Sequence, residues 1–220
     1  MTVRLAIFDC DGTLMDSQAN IIAAMDACFD MNRLPPPAQN STRRVVGLSL
    51  PQAMAMLVPD ADDAFHAKMA EDYKTCFKKM RSDAALAHEP LYEGTLEVLG
   101  ALEDAGWLLA VATGKSDRGL DHALEFHGIR NRFISLQTAD RHPSKPHPSM
   151  IETAMRDAGA EVEASVMIGD TTFDMDMAAN AGVQAVGVAW GYHAPDELTA
   201  SGAATVANDY PQLGRYLLGA

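Results

Sequence analysis

Short apolar runs alternate with helix-like stretches over the second half of the chain, and this alternation constrains the fold more than any other sequence feature. The runs cover residues 3–8, 107–112, 133–137, 166–168, 186–189 and 204–207. The segments between the later runs place apolar residues at the 3.6-residue spacing of amphipathic helices. Continuous apolar strands separated by helices predict a parallel sheet with helices on both faces. The sequence therefore predicts an α/β protein.

Residues 15–87 follow a different pattern, because no strand of comparable strength interrupts them. Ile21, Ile22, Met25 and Phe29 fit one face of a helix, and residues 64–80 are also predicted to be helical. A run of three prolines at 35–37 separates the helices of this segment. We therefore expect an α/β core from residues 1–14 and 88–220, with an all-helical insertion at 15–87 after the first strand.

Composition limits the partners of the chain. With 17 basic and 30 acidic residues, its formal net charge is −13, which argues against a broad surface for nucleic acid or an anionic membrane. A phosphorylated substrate would then need a local positive site. The first apolar run is too short for a signal-peptide core and no later run approaches 18 residues, so a cytoplasmic protein is expected. The odd number of cysteines and their spacing favour free thiols, and the charge predicts no oligomeric state.

Polar side chains follow four of the apolar runs, where the predicted strands end. They are Asp9 and Asp11, Thr113 and Gly114, Lys145, and Asp170 and Asp174. Because the carboxyl ends of parallel strands meet at one edge of a sheet, we expect these residues to gather there. Asp9 and Asp11 are two residues apart and share a side of the chain, and Gly12 permits a sharp turn after them.

Four carboxylates at one edge repel one another unless a cation is present. Two like charges about 4 Å apart at an effective dielectric of about 20 repel by about 4 kcal/mol. Hard carboxylate oxygens without histidine or cysteine are the ligands that suit Mg²⁺. The cluster therefore predicts a magnesium site.

The order of these motifs resembles that of the haloacid dehalogenase superfamily, whose phosphatases carry a strand-borne DxDGT, a second-strand Ser or Thr, a Lys and a GDxxxD loop. Residues 9–17 and 169–182 look like those of phosphoglycolate phosphatases and their close relatives. The resemblance covers nearly the whole chain. It implies a Rossmann-like core with a helical cap inserted after the first strand, in agreement with the α/β prediction.

The resemblance also implies a role for each candidate residue. Asp9 would be the nucleophile that forms an aspartyl-phosphate, and Asp11 the acid and then the base. Phosphate would be bound by the Thr113 hydroxyl, the Gly114 backbone N–H and Lys145. The Mg²⁺ ligands would be the side chains of Asp9 and Asp170 and the backbone carbonyl of Asp11, with Asp174 binding directly or orienting a water molecule.

The motifs address only the phosphate, so the substrate stays open beyond a small phosphorylated metabolite. Phosphoglycolate is the first candidate, and Arg43 and Arg44 are candidates for gripping a substrate carboxylate or second phosphate. A phosphomutase of the β-phosphoglucomutase type is an alternative, although such proteins carry a cap histidine where this chain has Ile21. Inorganic pyrophosphate or a nucleoside monophosphate are further alternatives, as is a catalytically silent phosphate-binding regulatory protein.

Overall fold

The computed structural model describes residues 2–219, which contain six β-strands and ten α-helices. The strands are β1 (Arg4–Phe8), β2 (Trp107–Thr113), β3 (Phe133–Thr138), β4 (Ser165–Gly169), β5 (Gln184–Val188) and β6 (Thr205–Ala207). The helices are α1 (Gln18–Met31), α2 (Gln39–Arg44), α3 (Leu50–Leu57), α4 (Asp63–Ser82), α5 (Thr95–Asp104), α6 (Asp117–Phe126), α7 (Ser149–Ala158), α8 (Thr172–Ala181), α9 (Pro195–Ala200) and α10 (Tyr210–Leu218). Each predicted strand is present, within one or two residues of its predicted bounds.

The six strands form one parallel sheet in the order β3-β2-β1-β4-β5-β6. Strand β1 lies in the middle and pairs with β2 on one side and β4 on the other. The strand order therefore reverses direction at β1. In open α/β sheets, ligands bind at such a switch point, beyond the carboxyl ends of the strands.

Both faces of the sheet are buried, as continuous apolar strands require. Along β1, Leu5 and Ile7 point into one apolar cluster, whereas Ala6 and Phe8 point into the other. All four residues are fully buried. This alternation explains why the strand has no polar face, and it confirms the predicted α/β class with a doubly covered parallel sheet.

Helices α1 to α4, at residues 18–82, form what we call the helical insertion. They have an apolar cluster of their own, which includes Met25, Phe29, Met54 and Met69. The proline run lies between α1 and α2, and the Asp62 side chain caps α4 by accepting from the Phe65 N–H at 2.8 Å. Among residues 2–219, no helix combines the length and apolar character needed to cross a membrane.

The chain passes between the sheet and the helical insertion twice, and the two passages are hydrogen-bonded to each other. The Asp16 N–H donates to the Pro90 carbonyl at 2.9 Å, and the Tyr92 N–H donates to the Leu14 carbonyl at 3.1 Å. The amide of Asn20 adds two bonds to the backbone of Ala87, at 2.9 and 2.7 Å. The two passages therefore form one short paired ribbon.

Candidate active site

The predicted strand-end residues meet at one edge of the sheet. Asp9 directly follows β1, Asp170 directly follows β4, and Asp174 lies in the first turn of α8. One carboxylate oxygen from each of these three lies within 4.8 Å of the others, and all three residues are buried. We call Asp9, Asp170 and Asp174 the acidic cluster, and Lys145 is its lysine.

Lys145, from the loop between β3 and α7, lies inside this cluster. Its Nζ is 2.9 Å from Asp9 Oδ1 and 2.6 Å from Asp174 Oδ1, and the residue is only 1% exposed. Burial lowers the pKa of the Lys145 ammonium, but attraction by Asp174 and Asp9 outweighs burial and leaves the pKa raised. Lys145 is thus a permanently charged buried cation.

Two of the carboxylates are held by hydrogen bonds from their surroundings. Asp170 accepts from the Thr13 hydroxyl at 2.8 Å and from the Tyr192 N–H at 2.9 Å. Asp174 accepts from both the N–H and the hydroxyl of Thr171, at 3.1 and 2.7 Å, in a capping box at the start of α8. Both side chains are therefore fixed in direction by short-range contacts.

Asp9 differs from its neighbours because both of its carboxylate oxygens are buried without a hydrogen bond among the described residues. Its only charged contact there is the ion pair with Lys145. Burial raises the pKa of Asp9, Lys145 opposes that shift, and Asp174 adds to it. Burial also raises the pKa of Asp170, and repulsion from Asp9 is the next largest cause of that rise. Burial is the largest cause of both shifts and the neighbouring carboxylates add to it, while the oxygen-only donor set of the cluster fits Mg²⁺.

Glycines let the backbone approach the acidic cluster closely. A Cβ at Gly191 would lie 2.2 Å from Asp170 Cβ, and one at Gly169 would lie 2.3 Å from Asp174 Cγ. Gly12 has φ +87, and its Cβ would lie 2.3 Å from Asp170 Oδ2. No side chain fits at these positions, so the glycines determine where the carboxylates lie.

Asp11 does not join the acidic cluster through its side chain, because it pairs with a different lysine. The Nζ of Lys115 lies 2.7 Å from Asp11 Oδ1. Burial lowers the pKa of Lys115, but the Asp11 charge and other acidic neighbours reverse that shift and raise it. The two predicted catalytic aspartates therefore have separate cationic partners.

Thr113 and Gly114 end β2 beside this pair. The Thr113 hydroxyl oxygen accepts from the Lys115 N–H at 3.2 Å, which leaves the hydroxyl hydrogen free to donate to a ligand. Gly114 packs under the loop between α2 and α3, where a Cβ would lie 2.6 Å from the Leu48 carbonyl oxygen and 2.8 Å from that of Gly47. The helical insertion thus touches the loop that is predicted to bind phosphate.

A cavity of about 400 Å³ lies between the helical insertion and this loop. Asp11, Gly114 and Lys115 line it on the side of the sheet. The insertion contributes mostly apolar walls, from Ile21, Met25, Val45, Val46, Leu48, Leu50, Ala53 and Phe77. A cleft above the carboxyl edge of the sheet is the expected position of a substrate site.

Comparison with known proteins places this site in a family. Residues 6–188 match the family model of the haloacid dehalogenase-like hydrolases. The chain belongs to the haloacid dehalogenase-like hydrolase family. This membership, the parallel α/β fold and the phosphatase type of enzyme were predicted from the sequence and are confirmed.

Similar proteins cover nearly the whole chain. A probable phosphatase IndB of Dickeya dadantii is 33% identical over 95% of this chain and 91% of its own length. A phosphoglycolate phosphatase of Vibrio parahaemolyticus is 28% identical over 96% of this chain and 94% of its own. A hydrolase structure from Pseudomonas syringae superposes with a TM-score of 0.85 at 25% identity, over 99% and 98% of the two chains.

Arg43 and Arg44 lie outside the cavity, although they were candidates for gripping the substrate. Arg44 forms an ion pair with Glu197 of α9, with Nη1 at 2.6 Å from Oε2, and Arg43 donates to the Gly191 carbonyl at 3.4 Å. Neither residue lines the cavity. In the structure both arginines join the helical insertion to the loop and helix that follow β5.

Four residues near the site had no role in the sequence-based prediction: Thr13, Lys115, Tyr192 and His193. The first two stand beside quoted motifs, and the position of Lys115 directly after the Thr113-Gly114 strand end was a usable signal. The ring nitrogen Nδ1 of His193 accepts from the Thr172 N–H at 3.1 Å. The backbone N–H of His193 donates to the backbone carbonyl of Asp170 at 3.2 Å. Nothing in the local sequence around 190–193 indicates that this loop supports Asp170.

Proposed function

We propose that this chain is a Mg²⁺-dependent phosphatase that hydrolyses a small phosphomonoester through an aspartyl-phosphate on Asp9. The observation that carries the proposal is the buried Asp9 carboxylate, whose charge is paired only with the Lys145 ammonium in the described chain, whereas each carboxylate oxygen of Asp170 and Asp174 accepts a hydrogen bond. The Asp9 oxygen that does not face Lys145 is therefore available to attack phosphorus or to bind a cation.

The metal would be held by the carboxylates of Asp9 and Asp170 and by the backbone carbonyl of Asp11. Mg²⁺ bound there would neutralise the carboxylates and the phosphate and stabilise the charge that develops in the transition state. Asp174 contributes differently, because one of its oxygens contacts Lys145 and the other accepts two bonds from Thr171. Its role is to orient Lys145 and, through a water molecule, the metal.

In the first step, a carboxylate oxygen of Asp9 forms a bond to phosphorus as the bond from phosphorus to the ester oxygen breaks. Asp11, in its protonated form, gives its proton to the leaving alkoxide. In the second step, Asp11 takes a proton from a water molecule, whose oxygen attacks the aspartyl-phosphate and releases inorganic phosphate and free Asp9. Lys115, at 2.7 Å from Asp11, pairs with the ionised form of that carboxyl group, so this ion pair must open before Asp11 carries the proton.

The phosphate itself would be bound by three groups of this chain. The Thr113 hydroxyl donates to one phosphate oxygen, and the Gly114 N–H donates to another. Lys145, a compact buried charge 2.9 Å from Asp9 Oδ1, would offset the phosphate charge as the transition state forms.

Residues 15–87 would act as the cap over a core made of residues 1–14 and 88–220. The contact of the Gly47-Leu48 carbonyls with Gly114 supports this arrangement, because it places insertion backbone directly over the phosphate loop. A cap that closes there excludes water and strengthens every charge contact inside. Phosphoglycolate is the reference substrate for this proposal, since several similar proteins bear the name of phosphoglycolate phosphatases.

The test is turnover of para-nitrophenyl phosphate and of phosphoglycolate by the full chain with Mg²⁺ and with EDTA. We expect activity only with the metal and a loss of about 10⁴-fold or more in Asp9→Asn. Asp60→Asn, the same change at an exposed position, is the matched control and keeps full activity.

Acid quenching during turnover of radiolabelled substrate should trap a labelled enzyme in the wild type and none in Asp9→Asn. Undiminished turnover in Asp9→Asn would contradict the proposal, as would inactivity of the wild type toward all phosphomonoesters with Mg²⁺. A mutase would instead isomerise a sugar phosphate and require a bisphosphate primer.

A further inference from the structure

We propose that the cavity binds a second anionic group of the substrate, held by Lys78, Arg81 and Arg118 at a distance from the phosphate. The substrate class is therefore a phosphomonoester with a carboxylate or second phosphate beyond an apolar spacer. This inference rests on the proposed phosphatase function and names the substrate of that same site.

The first observation is the charge of the cavity lining. Five basic residues line it, Lys74, Lys78, Arg81, Lys115 and Arg118, against the two acidic residues Asp11 and Asp140. The cavity lining thus has an excess of basic residues, although the formal net charge of the whole chain is −13. The cavity is thus a positive site on an acidic protein, and such a local reversal favours anionic ligands.

The second observation is that three of these cations have no acidic partner. Lys115 pairs with Asp11, and Lys74 pairs with Glu71 at 2.9 Å. Within residues 2–219, Lys78, Arg81 and Arg118 have no carboxylate within 4.0 Å. They come from two separate elements, α4 and α6, and converge on one cavity. A charge that is left unpaired on a cavity wall is available to a ligand.

The third observation is the distance along α4. Tyr73 of α4 lines the cavity, as do Asp11 and Lys115 on the side of the sheet. Arg81 lies eight residues further along the helix, which corresponds to about 12 Å. The phosphate and carboxylate of phosphoglycolate are three bonds apart, or about 4 Å. We therefore expect a ligand that spans the cavity from Asp11 to the Arg81 end of α4 to be longer than phosphoglycolate.

The walls between the two ends indicate the chemistry of the spacer. Ile21, Met25, Val46 and Leu50 are apolar and face the cavity together with Phe77. The Arg81 guanidinium lies over the Phe77 ring at 5.4 Å from its centroid, which restrains it along that wall. Transfer of an apolar spacer from water to such walls lowers the free energy of binding. A heavily hydroxylated spacer would instead leave buried hydroxyl groups without hydrogen-bond partners.

The test compares two substrate series that differ only in the terminal group. Alkyl phosphates with a terminal carboxylate, from two to about eight carbons, span the length of the α4 face, and hydroxyl-terminated phosphates of equal length are their uncharged controls. We expect kcat/KM of the carboxylate series to rise with length and to exceed the hydroxyl series by about 10- to 100-fold. Alkane bisphosphates of the same lengths show whether the subsite prefers phosphate to carboxylate.

Variants locate the subsite. Arg81→Gln, Lys78→Gln and Arg118→Gln should each lower kcat/KM of the long carboxylate substrates by about tenfold, and leave hydroxyl-terminated substrates within about twofold. Lys79→Gln is the matched control, because Lys79 is adjacent on α4, has a 75% exposed side chain and pairs with Asp83. Lys79→Gln should leave kcat/KM unchanged for both the carboxylate and the hydroxyl series.

Equal kcat/KM for the two series, or equal effects of Arg81→Gln and Lys79→Gln, would overturn the subsite. Failure of the phosphatase function has a different signature, which is absence of turnover for every substrate, including para-nitrophenyl phosphate. In that event calorimetric titration with a long carboxyalkyl phosphonate still decides the subsite. Weaker binding in Arg81→Gln than in Lys79→Gln supports it, and equal binding refutes it.

Discussion

The acidic cluster and the basic cavity wall, which consists of Lys78, Arg81 and Arg118, are both charged, but they are built in opposite ways. The charged groups of the cluster are almost completely buried, and Asp170 and Asp174 are held by hydrogen bonds from Thr13, Tyr192 and Thr171. On the wall, Lys78 and Arg118 are exposed and have no acidic partner in the described chain. The comparison teaches that the fold itself holds the acidic cluster in place, whereas the proposed second-anion subsite is built from exposed or partly exposed side chains without acidic partners.

The energetic reason is the cost of burying charge. A carboxylate or ammonium taken out of water loses several kcal/mol of solvation unless partners replace it, so removing a charge from the cluster leaves its buried partners uncompensated. An exposed lysine keeps its water and costs little. Substitutions should therefore have large effects in the cluster and small, substrate-dependent effects on the wall.

The largest effect on stability is expected from Lys145→Met, which removes the buried cation between Asp9 and Asp174. We expect a loss of about 3–5 kcal/mol in the free energy of unfolding, measured by urea denaturation without Mg²⁺, and at least about a 100-fold loss of kcat. Lys78→Met makes the same change on the wall and should stay within about 0.5 kcal/mol. Equal losses in the two variants would contradict the contrast between the regions.

Mg²⁺ should raise the Tm of the chain through the acidic cluster, and this rise should not depend on the residues of the basic cavity wall. A ligand that binds only the folded state at about 100 times its Kd adds about 2.7 kcal/mol, which corresponds to about 5–10 °C in Tm for a chain of this size. Thermal unfolding with and without Mg²⁺ measures the shift. Asp170→Asn should abolish it, and Arg81→Gln should retain it; a shift that survives Asp170→Asn places the metal elsewhere.

Gly114→Ala tests the contact between the two regions. The φ of Gly114 lies outside the left-handed region, so alanine is allowed by the backbone, but its Cβ would meet the Leu48 carbonyl oxygen at 2.6 Å. The loop above must move, and we expect kcat/KM to fall about tenfold with a stability cost of about 1–3 kcal/mol. Gly100→Ala in α5, where the nearest atom would be 3.8 Å away, should cost no activity. An unchanged kcat/KM in Gly114→Ala would show that this contact is dispensable.

The smallest effect is expected from Arg44→Gln. The ion pair with Glu197 joins side chains that are 44% and 36% exposed, and such pairs contribute about 0–1 kcal/mol. Since Arg44 does not line the cavity, kcat/KM on every substrate should stay within about twofold. A tenfold rise in KM for anionic substrates would restore Arg44 as a substrate contact.

The fold and the position of the acidic cluster could be predicted because both follow from local patterns. Apolar runs identify the strands, and the polar residue after each run must lie at the carboxyl edge of a parallel sheet. That rule places Asp9, Thr113 and Asp170 at one edge, whereas Lys145, inside the loop between β3 and α7, is singled out by the order of the motifs. The chemical roles of these residues stay predictions until the variants are measured.

The contacts of the cavity wall could not be predicted in the same way. Whether Arg44 faces the substrate depends on Glu197, which is 153 residues away in the chain, and a six-residue helix carries no pattern that reveals its partner. Lys78 and Arg81 read as an ordinary solvated helix face, because only the tertiary structure brings them to the same cavity as Arg118. The pairing of Lys115 with Asp11 likewise joins the ends of two different strands.

The paired ribbon between the sheet and the helical insertion restricts how the insertion can move. Because backbone bonds from Asp16 to Pro90 and from Tyr92 to Leu14 join the two passages, these passages cannot flex as independent tethers. A displacement of the insertion that keeps these bonds must carry both passages together. We therefore expect the insertion to be held over Gly114 by one double-stranded connection rather than by two single strands that bend separately.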